Sequence, residues 1–129
     1  MIFATSLAFS SYVNANAEKG TLKVLVNLQN VANNVGIYQI RITAYGSEIL
    51  EQSKIVNTGT QTCPDDKNSL CYTASGEFSF PSEAIPIGSK IRACAIEPVT
   101  GAENCADGQN TPNNGPETIW VKAPDKPHN

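Results

Sequence analysis

The sequence predicts an all-β chain, an antiparallel β-sandwich of about seven strands held by two local hairpin disulfides. Three observations carry this reading. Apolar residues recur at every second position in several short runs, and no longer run shows the 3.6-residue period of a helix. Gly, Pro and Asn interrupt these runs roughly every eight to twelve residues, the turn spacing of a sandwich. The four cysteines fall as two close pairs, Cys63 with Cys71 and Cys94 with Cys105. At 129 residues, 40% hydrophobic and 16% charged, the chain has material for one compact domain and no second one.

The elements follow in order. From Thr21, the residues Leu22, Val24, Val26 and Leu28 alternate with Lys23 and Asn27, Leu25 being the exception. A turn-rich gap from Asn30 to Gly36 leads to Tyr38, Ile40, Ile42 and Ala44, set against Gln39, Arg41, Thr43 and Tyr45. Both runs read as half-buried strands rich in β-formers. Gly46-Ser47 turns the chain into a third, weaker strand, Ile49 to Val56, which Asn57-Thr58-Gly59 ends. Thr60 to Cys63 then pairs with Cys71 to Thr73 as a hairpin. Phe78 and Phe80 are inward anchors, and Lys90 to Glu97 alternates Ile91, Ala93 and Ala95 against Arg92, Cys94 and Ile96. The last strand, Glu117 to Ala123, sets Ile119 and Val121 opposite Trp120.

Four cysteines allow three connectivities, and the turn residues between each local pair favour the two local bridges, since hairpins bring such pairs within roughly 5.5 Å. Pro64, Asp65, Asp66, Asn68 and Ser69 fill the first loop; Pro98, Gly101 and Asn104 lie in the second. Such bridges persist in oxidising compartments, so the expected location is extracellular, at the cell surface. Zinc would need Cys-x-x-Cys or His ligands, and the only His, His128, lies in the C-terminal Pro-containing tail expected to be flexible over residues 124–129.

Residues 1–17 read in two ways. The apolar stretch Ile2 to Val13 followed by Ala15-Asn16-Ala17 has the form of a secretory signal peptide with its cleavage site, although no Lys or Arg precedes Lys19. Alternatively Phe3, Leu7, Phe9 and Val13 share one parity with Thr5 and Ser11, while Ala4, Ser6, Ala8 and Ser10 occupy the other. That is the pattern of an extended arm with one large face. Either way residues 18–123 form the sandwich domain.

The segment Gly76-Glu77-Phe78-Ser79-Phe80-Pro81, followed by Ile85-Pro86-Ile87-Gly88-Ser89-Lys90-Ile91, resembles the hinge of secreted immunoglobulin-like and prealbumin-like modules. Alternate Phe residues fill the core, and the Pro and Gly turn the chain over the sandwich end into the opposite sheet. With the paired cysteines and Asn-rich loops, the body from Gly20 to Ala123 resembles small exported β-sandwich proteins of prokaryotic, especially archaeal, cell surfaces. The resemblance implies an immunoglobulin-like sandwich with a structural or adhesive role, and it carries over no catalytic residue.

The chemistry expected is correspondingly sparse. A formal net charge of -3 without basic clusters excludes nucleic acid as a partner, and no stretch is long and apolar enough for a transmembrane helix. Asp65 and Asp66 suit a solvated hairpin tip. Asp107, Gln109, Asn110, Asn113, Asn114 and Glu117 make an oxygen-rich loop, but their spacing departs from a calcium-loop pattern. No Ser stands in a nucleophile context, so no enzyme, cofactor or metal site is expected. Trp120 and Tyr45 fall on outward positions, where aromatics stack on sugars or neighbouring proteins; Trp120 also suits a core position. Two functions follow. One is a surface filament or pilus subunit that self-assembles when Phe3, Leu7, Phe9 and Val13 add as a strand to the next copy. The other is a secreted monomeric module that recognises a glycan or protein through an exposed face or the Asn-rich loop from Ala106 to Pro116.

Overall fold

The computed structural model describes residues 20–112 and 115–127. They form nine strands: β1 (Thr21–Gln29), β2 (Ile37–Tyr45), β3 (Ile49–Asn57), β4 (Gly59–Thr62), β5 (Leu70–Thr73), β6 (Ser75–Pro81), β7 (Lys90–Ile96), β8 (Glu103–Gln109) and β9 (Glu117–Lys122). Seven of them build the sandwich. A three-stranded sheet in the order β6-β1-β9 packs on a four-stranded sheet in the order β3-β2-β7-β8, and β4-β5 stands apart as a two-stranded hairpin.

The period-2 alternation decides which side chains meet between the sheets. Leu22, Val24, Val26 and Leu28 of β1 are buried with Phe78 and Phe80 of β6 and Ile119 and Val121 of β9. Tyr38, Ile40, Ile42 and Ala44 of β2 and Ile91, Ala93 and Ala95 of β7 close the same core from the other side. Their partners in the alternation, among them Lys23, Gln39, Arg41 and Arg92, face away from it. Burying a side chain of this size stabilises by about 1.5 to 3 kcal/mol.

The hinge after Phe80 works as its residues predict. Pro81 ends β6, a 3-10 turn spans Ser82–Ala84, and Gly88 takes φ +96° while the Ser89 amide donates to the Pro86 carbonyl at 3.0 Å. Only a residue without a Cβ sits comfortably there. The chain thereby leaves the three-stranded sheet and enters the centre of the other. Gly46 serves a different need: the Ser47 amide donates to the Ala84 carbonyl at 3.0 Å, and a Cβ on Gly46 would lie 2.0 Å from that oxygen.

The structure corrects the sequence reading in three places. Glu103 to Gln109 form strand β8, paired with β7 in register Cys94↔Cys105, where a loop was expected from Ala106 onward. Its polar and small residues hid a strand whose outer face is solvated. Secondly, β9 runs parallel to β1, in register Asn27↔Trp120, because the crossing after β8 reverses the chain and sets it alongside β1 in the same direction. Thirdly, residues 124–127 are not a loose tail. Pro124 is buried, its carbonyl accepts the Tyr38 hydroxyl at 2.9 Å, and the Lys126 amide donates to Asn34 Oδ1 at 3.0 Å.

Candidate functional site

The four cysteines pair as the turn spacing predicts. Cys63–Cys71 closes the β4-β5 hairpin and Cys94–Cys105 bridges β7 and β8 on the outer face of the four-stranded sheet. Glu103 lies beside the second bridge, with its carboxylate paired to Arg41. Farther along that face Arg92 grips Asp107 with two nitrogens, at 2.8 and 3.2 Å. The guanidinium holds the Asp107 carboxyl below the usual carboxylate range, and the carboxylate in turn raises the Arg92 pKa. Lys90 sits over the Tyr45 ring, 5.3 Å from its centroid.

The other sequence candidates are separated by the fold. Asp66 accepts the Asn68 amide at 2.9 Å and the Ser69 hydroxyl at 2.8 Å, bonds that fix the hairpin tip and lower its pKa. Among the described residues, the oxygen-rich ones are held by separate partners. Asp107 faces Arg92, while Asn110 is buried and donates its amide to the Ile85 carbonyl at 2.7 Å. Glu117 accepts the Thr111 amide and hydroxyl at 2.9 and 2.6 Å. Phe3, Leu7, Phe9 and Val13 of the arm, Asn113, Asn114 and His128 lie outside the described residues.

A sandwich that receives a strand must offer an unpaired edge, and the four edges differ here. Gln52 and Lys54 are inward-facing residues of β3, in register with Ile42 and Ile40. They reach across the seam between the sheets: Gln52 donates to the Ser79 carbonyl of β6 at 2.7 Å, and Lys54 to that of Glu77. On the opposite seam Asn104 of β8 donates to the Lys122 carbonyl of β9 at 3.0 Å. Side chains of the other sheet therefore occupy two carbonyls of β6 and one, at the last residue, of β9. Among the described residues no strand pairs with the outer edge of β3, which is nine residues long and carries Ile49 and Ile55 at 68% and 67% exposure. Near its start a slot of about 500 Å³ opens onto Leu50, Phe80 and Ala84. The β8 edge is shorter and its outward side chains include Glu103 and Asp107.

A second feature lies on the outer face of the three-stranded sheet. Strand register lines up Ser75 of β6, Asn27 of β1 and Trp120 of β9 in one cross-strand row. The β4-β5 hairpin stands beside this row and adds Gln61 and Tyr72, forming a groove of about 260 Å³. Trp120 is thus an outward residue, as one of its two sequence readings has it. The contribution of Tyr72 was hidden in the sequence because nothing there orients the hairpin against the sheet.

No helix among the described residues is long and apolar enough to cross a membrane. Set against known protein families, curated proteins and solved structures, the chain finds no match. The fold defines the class, a disulfide-bridged all-β sandwich whose strands pair antiparallel except for β1 with β9.

Proposed function

We propose that this chain is a non-enzymatic structural subunit of an extracellular filament or pilus, assembled by strand addition along the outer edge of β3. One observation carries the reading: β3 is a nine-residue edge with exposed Ile49 and Ile55 beside a slot that opens onto Leu50, Phe80 and Ala84, while carbonyls on the edges of β6 and β9 are already taken by side chains. An exposed edge of this kind is a template for a further strand. The arm has the matching pattern, with Phe3, Leu7, Phe9 and Val13 on one face. Its backbone pairs with β3 of the next copy, and its large residues cover the apolar surface around Leu50. Each one buried contributes about 1.5 to 3 kcal/mol, offset in part by ordering the arm. Donation from one copy to the next is head-to-tail, so it propagates into an open fibre. Two surface disulfides suit the oxidising environment that such a fibre occupies.

Unheated, non-reducing electrophoresis of native extracellular material, with N-terminal sequencing of the bands, tests this. A heat-labile ladder of multimers whose subunits retain Phe3 to Val13 is expected, and Phe9→Asp in the arm or Ile55→Asp on the edge collapses it to monomer. A single monomer band beginning at Glu18 rules the mechanism out.

A further inference from the structure

We propose that the groove between the β4-β5 hairpin and the outer face of the three-stranded sheet binds a neutral carbohydrate, with one sugar ring seated between Trp120 and Tyr72. The two rings are 56% and 43% exposed, yet both line the same groove. Apart from them, the polar side chains lining the groove are the amides of Asn27 and Gln61 and the hydroxyls of Thr73 and Ser75. Among the described residues none of these four side chains makes a hydrogen bond within the protein, so their donors and acceptors are free for a ligand.

Every residue lining the groove is uncharged. An anion would need a cation there, and a cation would need a carboxylate or a closed aromatic cage; the described residues lining the groove supply neither. A peptide strand adds along an unpaired edge, whereas this groove lies over Asn27 of β1, the central strand of its sheet. A pyranose matches what remains. Its C–H faces lie against aromatic rings and its equatorial hydroxyls meet amides and hydroxyls, so the polar side chains between the two rings orient it. The volume lies just under the roughly 300 Å³ at which drug-sized pockets begin. It fits one ring, with neighbouring sugars projecting into solvent.

The walls are fixed before a ligand arrives. Asn27 and Trp120 are neighbours in the β1-β9 register, and Ser75 is the register partner of Asn27 on the other side. The chain runs from Tyr72 through Thr73 and Ala74 directly into Ser75, and the Leu28 amide pins Ala74 by donating to its carbonyl at 2.9 Å. Cys63–Cys71 closes the far end of the hairpin. None of the residues lining the groove belongs to β3, so the site does not depend on strand-added assembly.

Trp120 is the chain's only tryptophan, so its fluorescence reports on the groove without labelling. The full chain is titrated with neutral oligosaccharides: gluco-, manno- and galacto-oligomers and oligomers of N-acetylglucosamine. A saturable change in Trp120 emission is expected with at least one of them, at a dissociation constant below about 1 mM. Tyr72→Ala weakens it roughly tenfold or more and Asn27→Ala roughly fivefold, effects of 1 to 1.4 kcal/mol in binding. Tyr45→Ala, which removes an exposed aromatic from the other sheet, leaves it unchanged. Calorimetry on Trp120→Ala shows the binding lost. The proposal is overturned if none of the sugars moves the emission, or if Tyr72→Ala and Tyr45→Ala behave alike. It is also overturned if the emission follows protein concentration alone, which would make the groove a contact between copies.

Discussion

At the scale of single residues the most constrained group is Glu97, a fully buried carboxylate at the end of β7. Its Oε1 accepts the amides of Val99 and Thr100 at 2.9 and 2.8 Å, and its Oε2 takes Lys126 at 2.8 Å. Lys126 also lies over the Tyr38 ring, 4.3 Å from the centroid, so one ammonium ties the C-terminal segment to an acid and an aromatic together. The hydrogen bond from Lys126 is the largest cause of the fall in the Glu97 pKa, from 4.5 to about 2. A carboxylate depressed on folding stabilises the folded state above its unfolded pKa, and that stability is lost as pH falls from about 4.5 towards 2. Urea denaturation across this window is expected to show the loss, and Glu97→Gln to flatten it. Lys126→Ala leaves the buried acid without its cation and lowers the melting temperature by on the order of 10 °C, read by calorimetry at neutral pH. Tyr38 adds the opposite limb. Burial, with Glu97 and Asp125 nearby, pushes its hydroxyl up to about 12, so its contribution is complete below pH 10 and fades as pH climbs towards 12. None of this was legible in the sequence, because Tyr38, Glu97 and Lys126 are joined only through the fold. Lys126 also stood next to Pro127 and His128 in a segment with every mark of a loose end.

At the scale of elements, the strands that alternate cleanly and the disulfide-closed hairpin were legible, and the polar strand β8 was not. Strands β1, β2 and β7 each bury one face, so their apolar residues must recur at every second position. In β8 the sequence Glu-Asn-Cys-Ala-Asp-Gly-Gln has only Ala106 packed against the core, and its outward residues are partnered by Arg41, Cys94 and Arg92. Only the cysteine pairing hinted at that strand. The two bridges accordingly differ in what they stabilise. Cys94–Cys105 joins two strands of the main sheet, and replacing both cysteines with Ser is expected to cost roughly 2 to 3 kcal/mol of global stability in denaturant titration. Cys63–Cys71 closes a hairpin outside both sheets. Its double Ser variant is expected to speed amide exchange over residues 59–73 while leaving the global unfolding midpoint nearly in place. Gly46 shows an element junction with no slack. Gly46→Ala drives a Cβ towards the Ala84 carbonyl and is expected to destabilise by roughly 3 kcal/mol, since backbone on both sides must move.

At the scale of the whole molecule, the question is where a copy of this chain can accept a strand. The sandwich closes its seams asymmetrically: each edge strand of the four-stranded sheet sends polar side chains over to the three-stranded sheet, Gln52 and Lys54 from β3 and Asn104 from β8. These bonds occupy carbonyls that an incoming strand would use, two on β6 and one on β9, whereas β3 and β8 keep theirs outward. Of these two, β3 has the length and the apolar side chains. Strand addition at β3 therefore makes a directional prediction for hydrogen exchange. In assembled material the outward amides of residues 49–57 gain protection relative to dispersed monomer, while those of residues 103–109 exchange at the same rate in both. The same comparison reads the arm, because residues 2–13 gain protection in step with β3 if they supply the added strand. Ile55→Asp on β3 should remove both sets of protection together, since a charge on the edge weakens the docked strand and the fibre it propagates. Protection that appears on β8 instead would relocate the acceptor edge. Protection of β3 with an unprotected arm would mean that β3 pairs with its own counterpart in a second copy, a two-fold contact that closes as a dimer and cannot grow.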